Sequence, residues 1–119
     1  MEKINLAQKL GLIRDHWSPK IIGEVNDVYI KLVKFQGDFI WHLHEKEDEM
    51  FLVLNGTMVM RLKEKDIELK EGECIIIPRG VEHLPVASEE VHVMLIEPKT
   101  TLNTGNVETE ITVKEPERI

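Results

Sequence analysis

The chain has 119 residues, 42% hydrophobic and 31% charged, which is enough for one domain with a single substantial core. Its formal charge of −7 leaves no basic stripe for nucleic acid or for an anionic membrane surface. No apolar run approaches the roughly 20 residues of a spanning helix, the N-terminus lacks the apolar stretch of a secretion signal, and the lone cysteine, Cys74, cannot form an internal disulfide; the expected setting is the cytoplasm.

Residues 2–13 predict about two helical turns, with Ile4, Ala7 and Leu10 on one side and Gly11 as terminator. From Ile21 onward the texture is that of strands. Two runs, IIGEV and VYIKLVKF, flank a tight turn at Asn26-Asp27. FIWHLH follows Gly37-Asp38, and MFLVL ends at Asn55-Gly56, a hairpin signal. TMVMRL, a polar turn at Glu64 to Asp66, and IELK come next. CIII is stopped by Pro78-Arg79-Gly80, and LPVAS and VHVMLIE read as the last two strands.

Many short strands with almost no helical pattern predict an all-β sandwich or barrel, preceded by the short N-terminal helix. The whole chain, 1–119, reads as one domain, with a barrel core at about 24–97, an N-terminal segment 1–23 and a polar tail 98–119. In that tail TEITV is a candidate edge strand, and KEPERI is expected to fray. Runs such as FLVL, CIII and VMLI are apolar on consecutive residues, so both sheet faces need cover. A second copy of the chain is the expected cover, giving a homodimer. Trp41 and Leu43 are outward candidates if the histidines beside them point inward.

Those histidines carry the chemistry. His42 and His44 are two apart on an extended segment and so share a face, about 6.6 Å apart at the backbone. That spacing lets both imidazoles lean onto one ion at a ligand distance of about 2 Å. Glu49 follows across the polar run EKED, and a hairpin there would return its carboxylate to the pair. His83 follows CIII and the Pro78–Gly80 turn. If CIII lines the same interior, its loop delivers a third imidazole.

The same residues resemble the two motifs of the cupin superfamily. The first, a glycine, H-x-H, three or four residues, E, six residues and G, is matched by Gly37, His42, His44, Glu49 and Gly56. The second, G-x5-P-x-G-x2-H-x3-N, is matched by Gly72, Pro78, Gly80 and His83, with Ala87 where the motif has Asn. The resemblance covers about residues 24–97. It implies a jelly-roll β-barrel of the small single-domain type, similar to phosphomannose-isomerase-like cupins.

Three imidazoles and a carboxylate suit Fe, Mn, Ni, Co or Zn as a divalent ion, with two coordination positions left free. This implies a metalloenzyme of oxygenase or isomerase type acting on a small molecule. The alternative is a non-catalytic barrel that holds a small ligand or sugar. Ile40, Phe51, Val53, Ile75 and Ile77 are the expected pocket lining, with His92 a further candidate, and their apolar character favours a modestly hydrophobic ligand. Arg61, Lys34 and Arg79 are the cations available for a phosphate, and nothing in the sequence clusters them. Cys74 is expected in the core and His16 on the surface.

Overall fold

β-Branched and aromatic residues recur from Ile21 to Glu97, and the computed structural model, which describes all 119 residues, forms them into seven strands. In order these are β1 (Lys20–Val25), β2 (Val28–Asp38), β3 (Glu49–Asn55), β4 (Thr57–Leu62), β5 (Asp66–Lys70), β6 (Cys74–Ile77) and β7 (His83–Pro98). One helix, α1 (Leu6–Leu10), precedes them. It is shorter than the 2–13 expected, starting at Asn5, whose side chain accepts from the Gln8 backbone N–H at 2.9 Å.

All strand pairings are antiparallel, in the order β1-β2-β7-β3-β6, with β4 joining β5 and β7. The last two expected strands are one. β7 pairs with β4 through its first half and with β3 through its second, while β2 runs along both halves. One strand therefore belongs to both walls of the jelly roll. The Asn26-Asp27 turn does join paired strands, with Val25 opposite Val28. Asn55-Gly56 does not form a hairpin, because β3 and β4 do not pair. It is a corner between the two walls, with Gly56 at φ +90° and its α-carbon pressed against β7, where a Cβ would meet the Glu90 carbonyl oxygen at 3.1 Å.

The alternation of β2, β3 and β7 fills the interior. Val33 and Phe35, Phe51 and Val53, and Val91, Val93 and Leu95 are all buried there, joined by Met58, Met60 and Leu69 from the other wall. Burial of one such side chain stabilises the fold by about 1.5–3 kcal/mol. The outer face is also apolar. Ile30, Ile96, Met50 and Ile76 form one cross-strand row by register, and Leu32, Met94, Leu52 and Cys74 the next. Cys74 is thus exposed rather than in the core, because β6 places it and Ile76 outward.

Trp41 and Leu43 are half-buried by their own chain. Lys63 Nζ lies 4.0 Å from the Trp41 ring centroid, and Asn106 grips Leu43 at both backbone groups, with its Oδ1 accepting at 3.0 Å and its N–H donating at 2.9 Å. The tail does not fray. Ile21 N–H donates to Glu117 O at 2.8 Å, Ile119 N–H donates to Ile21 O at 3.1 Å, and Thr104 is fully buried. TEITV makes turns rather than an edge strand. No helix is long and apolar enough to cross a membrane.

Candidate metal centre

At the site an extended segment off the strand ladder meets the start of β7. His42 and His83 face each other through a single antiparallel bridge, with backbone N–H to O distances of 3.2 and 2.9 Å. The stretch around His42 and His44 is extended but is not a ladder strand, so no hairpin joins it to β3. Glu49 instead opens β3 on the inward phase shared with Phe51 and Val53, opposite Ile77.

Together these place His42, His44, Glu49 and His83, all buried, with one potential ligand atom each inside a 4.8 Å span. Glu49 Oε1 lies 3.2 Å from His44 Nε2 and 3.4 Å from His83 Nε2. Ligands about 2.1 Å from one ion sit about 3.0 Å apart when cis and 4.2 Å when trans; the two Glu49 contacts fall in that range, and the widest pair of the cluster would have to close by about half an ångström around an ion. The tautomers fit as well. His42 Nδ1 and His83 Nδ1 each lie 2.9 Å from a backbone carbonyl, of Ile40 and Val81. A proton placed there leaves each Nε2 lone pair free for the centre. His44 Nε2, His83 Nε2 and Glu49 Oε1 are buried with no hydrogen-bond partner. Buried polar atoms left orphaned in a converging set call for a cation. The cluster could hold one metal ion.

Its electrostatics agree. Burial, and then the neighbouring His83, lower the His42 pKa to about 4, which keeps the ring neutral and ready to ligate. Burial alone would raise the Glu49 pKa, but its contacts with Glu97, His44 and His83 hold it well below the ordinary carboxylate range. Glu97 moves the opposite way. Burial and the charge of Glu49 push it well above that range, so Glu97 keeps the proton of the pair.

Beside this cluster lies a cavity lined by Trp17, Pro19, Phe35, Phe39, His42, Glu49, Phe51, Pro85, Leu95 and Asn103. About 20 Å³ of it is open to the centre of a water molecule, enough for roughly one water. Trp17 stacks on Phe35 at 4.3 Å and on Phe39 at 4.8 Å between centroids, and its Nε1 donates to Gln36 O at 2.9 Å.

Of the expected lining, Phe51 reaches this cavity, while Val53 and Ile77 are packed in the core and Ile75 lies against it. Ile40 contributes the carbonyl that His42 faces. His92 sits on the outer face, opposite Lys34, with Nε2 3.1 Å from Glu90. The strand phase that turns Val91 and Val93 inward turns His92 outward. The candidate cations do not converge either. Arg79 is tied to Asp48, Arg61 to Asp66, and Lys34 to the Ile13 carbonyl. The N-terminal segment supplies Trp17 and Pro19, which the expected lining did not include.

Residues 31–98 match the family described as Cupin domain. This chain belongs to the cupins. A cupin-2 domain containing protein from Shewanella frigidimarina NCIMB 400 is 47% identical, with a TM-score of 0.80 over 81% of this cupin and 94% of that chain. The protein NMB1881 from Neisseria meningitidis is 32% identical, with a TM-score of 0.76 over 82% of this cupin and all (100%) of that chain. The uncharacterized protein YdbB of Bacillus subtilis (strain 168) is 40% identical over 80 residues, 66% of this cupin and 71% of YdbB.

Proposed function

We propose that this cupin binds one divalent transition metal through His42, His44, Glu49 and His83 and uses it on a small, largely apolar molecule admitted to the adjoining cavity. The observation that carries this reading is the set of buried, unpartnered ligand atoms beside an aromatic cavity. A bound metal would supply Lewis acidity, or an open coordination position for oxygen. The protein does the rest. The Ile40 and Val81 carbonyls fix two imidazoles, burial keeps His42 neutral, and Phe35, Phe39, Phe51 and Trp17 exclude bulk water. A phosphorylated sugar fits poorly, since Arg61, Arg79 and Lys34 are all engaged elsewhere. That favours an oxygenase-type reaction over the isomerase type. A barrel that holds its ligand without turning it over is the second reading.

The test is metal stoichiometry by plasma mass spectrometry on protein dialysed against Fe(II), Mn(II), Co(II), Ni(II) and Zn(II). About one ion per chain is expected, lost on His44→Ala or His83→Ala and kept in His16→Ala, whose ring lies on the surface beside Glu90. A wild type that stays empty refutes the reading. Oxygen uptake by the Fe(II) form then separates oxygenase from binder. A homodimer is part of the same proposal, with the Ile30, Met50, Leu52, Met94 and Ile96 face as the surface that a second copy covers. Light scattering should give about twice 13.8 kDa, falling to one chain on Ile76→Glu, because that residue is exposed at the patch.

A further inference from the structure

Two buried ionisable residues behind the candidate ligands take no part in the reading so far. Lys31 and Glu97 are each 2% exposed, and their Nζ and Oε1 lie 2.8 Å apart. Their strand phase puts them there. Lys31 alternates inward with Val33 and Phe35 on β2, and Glu97 with Val93 and Leu95 on β7. The β3–β7 register pairs Met50 with Ile96, so the next step outward sets Glu49 beside Glu97. Glu97 Oε2 is buried beside that carboxyl with no hydrogen-bond partner.

A buried lysine–carboxyl contact in a small barrel is a poor source of stability, because taking charge out of water offsets most of the attraction gained. Replacing such a pair by apolar residues of similar volume is often neutral or stabilising. Packing therefore gives no reason for this pair to be here, whereas its position does. A row of contacts runs from Lys31 through Glu97 to Glu49, and Glu49 Oε1 stands between two imidazole nitrogens.

We propose that Lys31 and Glu97 are positioning residues, a buried tether from β2 and β7 that holds the Glu49 carboxylate in its orientation toward His44 and His83. Lys31 fixes one oxygen of Glu97, and the other oxygen of Glu97 abuts the Glu49 carboxyl, its register neighbour across β3 and β7. The free oxygen of Glu49 is thereby aimed at the histidines. Partners of this kind behind a ligand typically change metal affinity about 10–100-fold when removed. This inference rests on the metal-site reading above.

The experiment uses Co(II) as the probe, reading its dissociation constant by competition with a chelator and its visible ligand-field spectrum. Glu97→Gln keeps both contacts, with an amide N–H₂ for Glu49 and a carbonyl oxygen for Lys31. It should stay within about threefold of wild type with the same spectrum. Lys31→Met and Glu97→Leu should weaken binding at least tenfold and shift the spectrum. Because Glu97→Leu alone strands the buried Lys31 ammonium and can prevent folding, the double variant K31M/E97L, apolar at both positions, carries the test. It should fold without metal, yet show the weakened affinity and altered spectrum. A folded double variant with wild-type affinity and spectrum overturns the tether and leaves the metal site standing. Wild type that binds no Co(II) overturns both.

Discussion

Acid should weaken the metal-free protein through His42 in particular. Its folded pKa of about 4 lies below the ordinary 6.5, because burial, and then His83, disfavour the charged ring. Its contribution to stability is fully present above pH 6.5 and is lost as pH falls through 4, since over that window the unfolded chain takes up a proton that the folded chain refuses. The full swing of 2.5 units corresponds to about 3 kcal/mol at 1.36 kcal/mol per unit, and about 2 kcal/mol of it has gone by pH 5. Glu97 acts in the opposite sense. Its raised pKa contributes stability present below 4.5 and lost as pH rises through the folded value, so wild type alone does not isolate His42. The measurement is therefore urea unfolding of chelator-treated wild type and His42→Asn at pH 7 and pH 5. Wild type should lose about 2 kcal/mol more than the variant between the two. Equal losses would refute the reasoning, and would mean that the ring is not desolvated as its burial implies.

Gly105 sits at φ +59°, where a Cβ would collide with the Leu43 carbonyl oxygen. Gly105→Ala should lower stability by more than the ~1–2 kcal/mol of a left-handed residue alone. Gly72→Ala, at φ +83° with nothing near, should show only the backbone cost, and equal melting temperatures for the two would count against the clash. Trp17→Ala removes the indole stacked on Phe35 and Phe39 and opens the cavity. Capture of bound Co(II) by a chelator should become faster; an unchanged rate would show that ions leave by another route.

The strands were legible because their chemistry is local. Val28–Phe35 and Met50–Leu54 carry β-branched and aromatic residues in runs, and the Asn26-Asp27 turn joins strands that do pair. The four candidate ligands were legible as a spacing. What the spacing could not supply was strand phase and long-range partners. His92 was a candidate for the lumen because alternation alone has two solutions, and only the pairing of β7 with β2 and β3 chooses between them. The same pairing turns Lys31 inward, although a lysine flanked by Ile30 and Leu32 reads as the exposed member of its strand. Its in-phase neighbours Val33 and Phe35 were the available signal. Asn55-Gly56 has the composition of a hairpin, yet where its two strands go is a property of the whole barrel. Trp17 reached the cavity from a segment with no periodicity to follow, in a left-handed conformation (φ +62°) that composition does not announce.

The tail's grip on Leu43 gives the last 21 residues, 99–119, a part in how the centre is built. His42 and His44 flank Leu43 on a segment with no strand ladder of its own. Asn106 clasps the backbone between them, and Gly105 lies so near that a Cβ there would meet the His42 ring at 3.1 Å. The far end of the chain is then anchored beside Ile21. A version cut back to residues 31–98, the span that matches the family, would keep all four ligands. It would lose the clasp that holds two of them at a fixed separation, and Trp17 with it. Such a fragment should meet the ion as a loose loop that must be ordered on arrival, so its affinity would measure how much of the site is prepared in advance by chain outside that span.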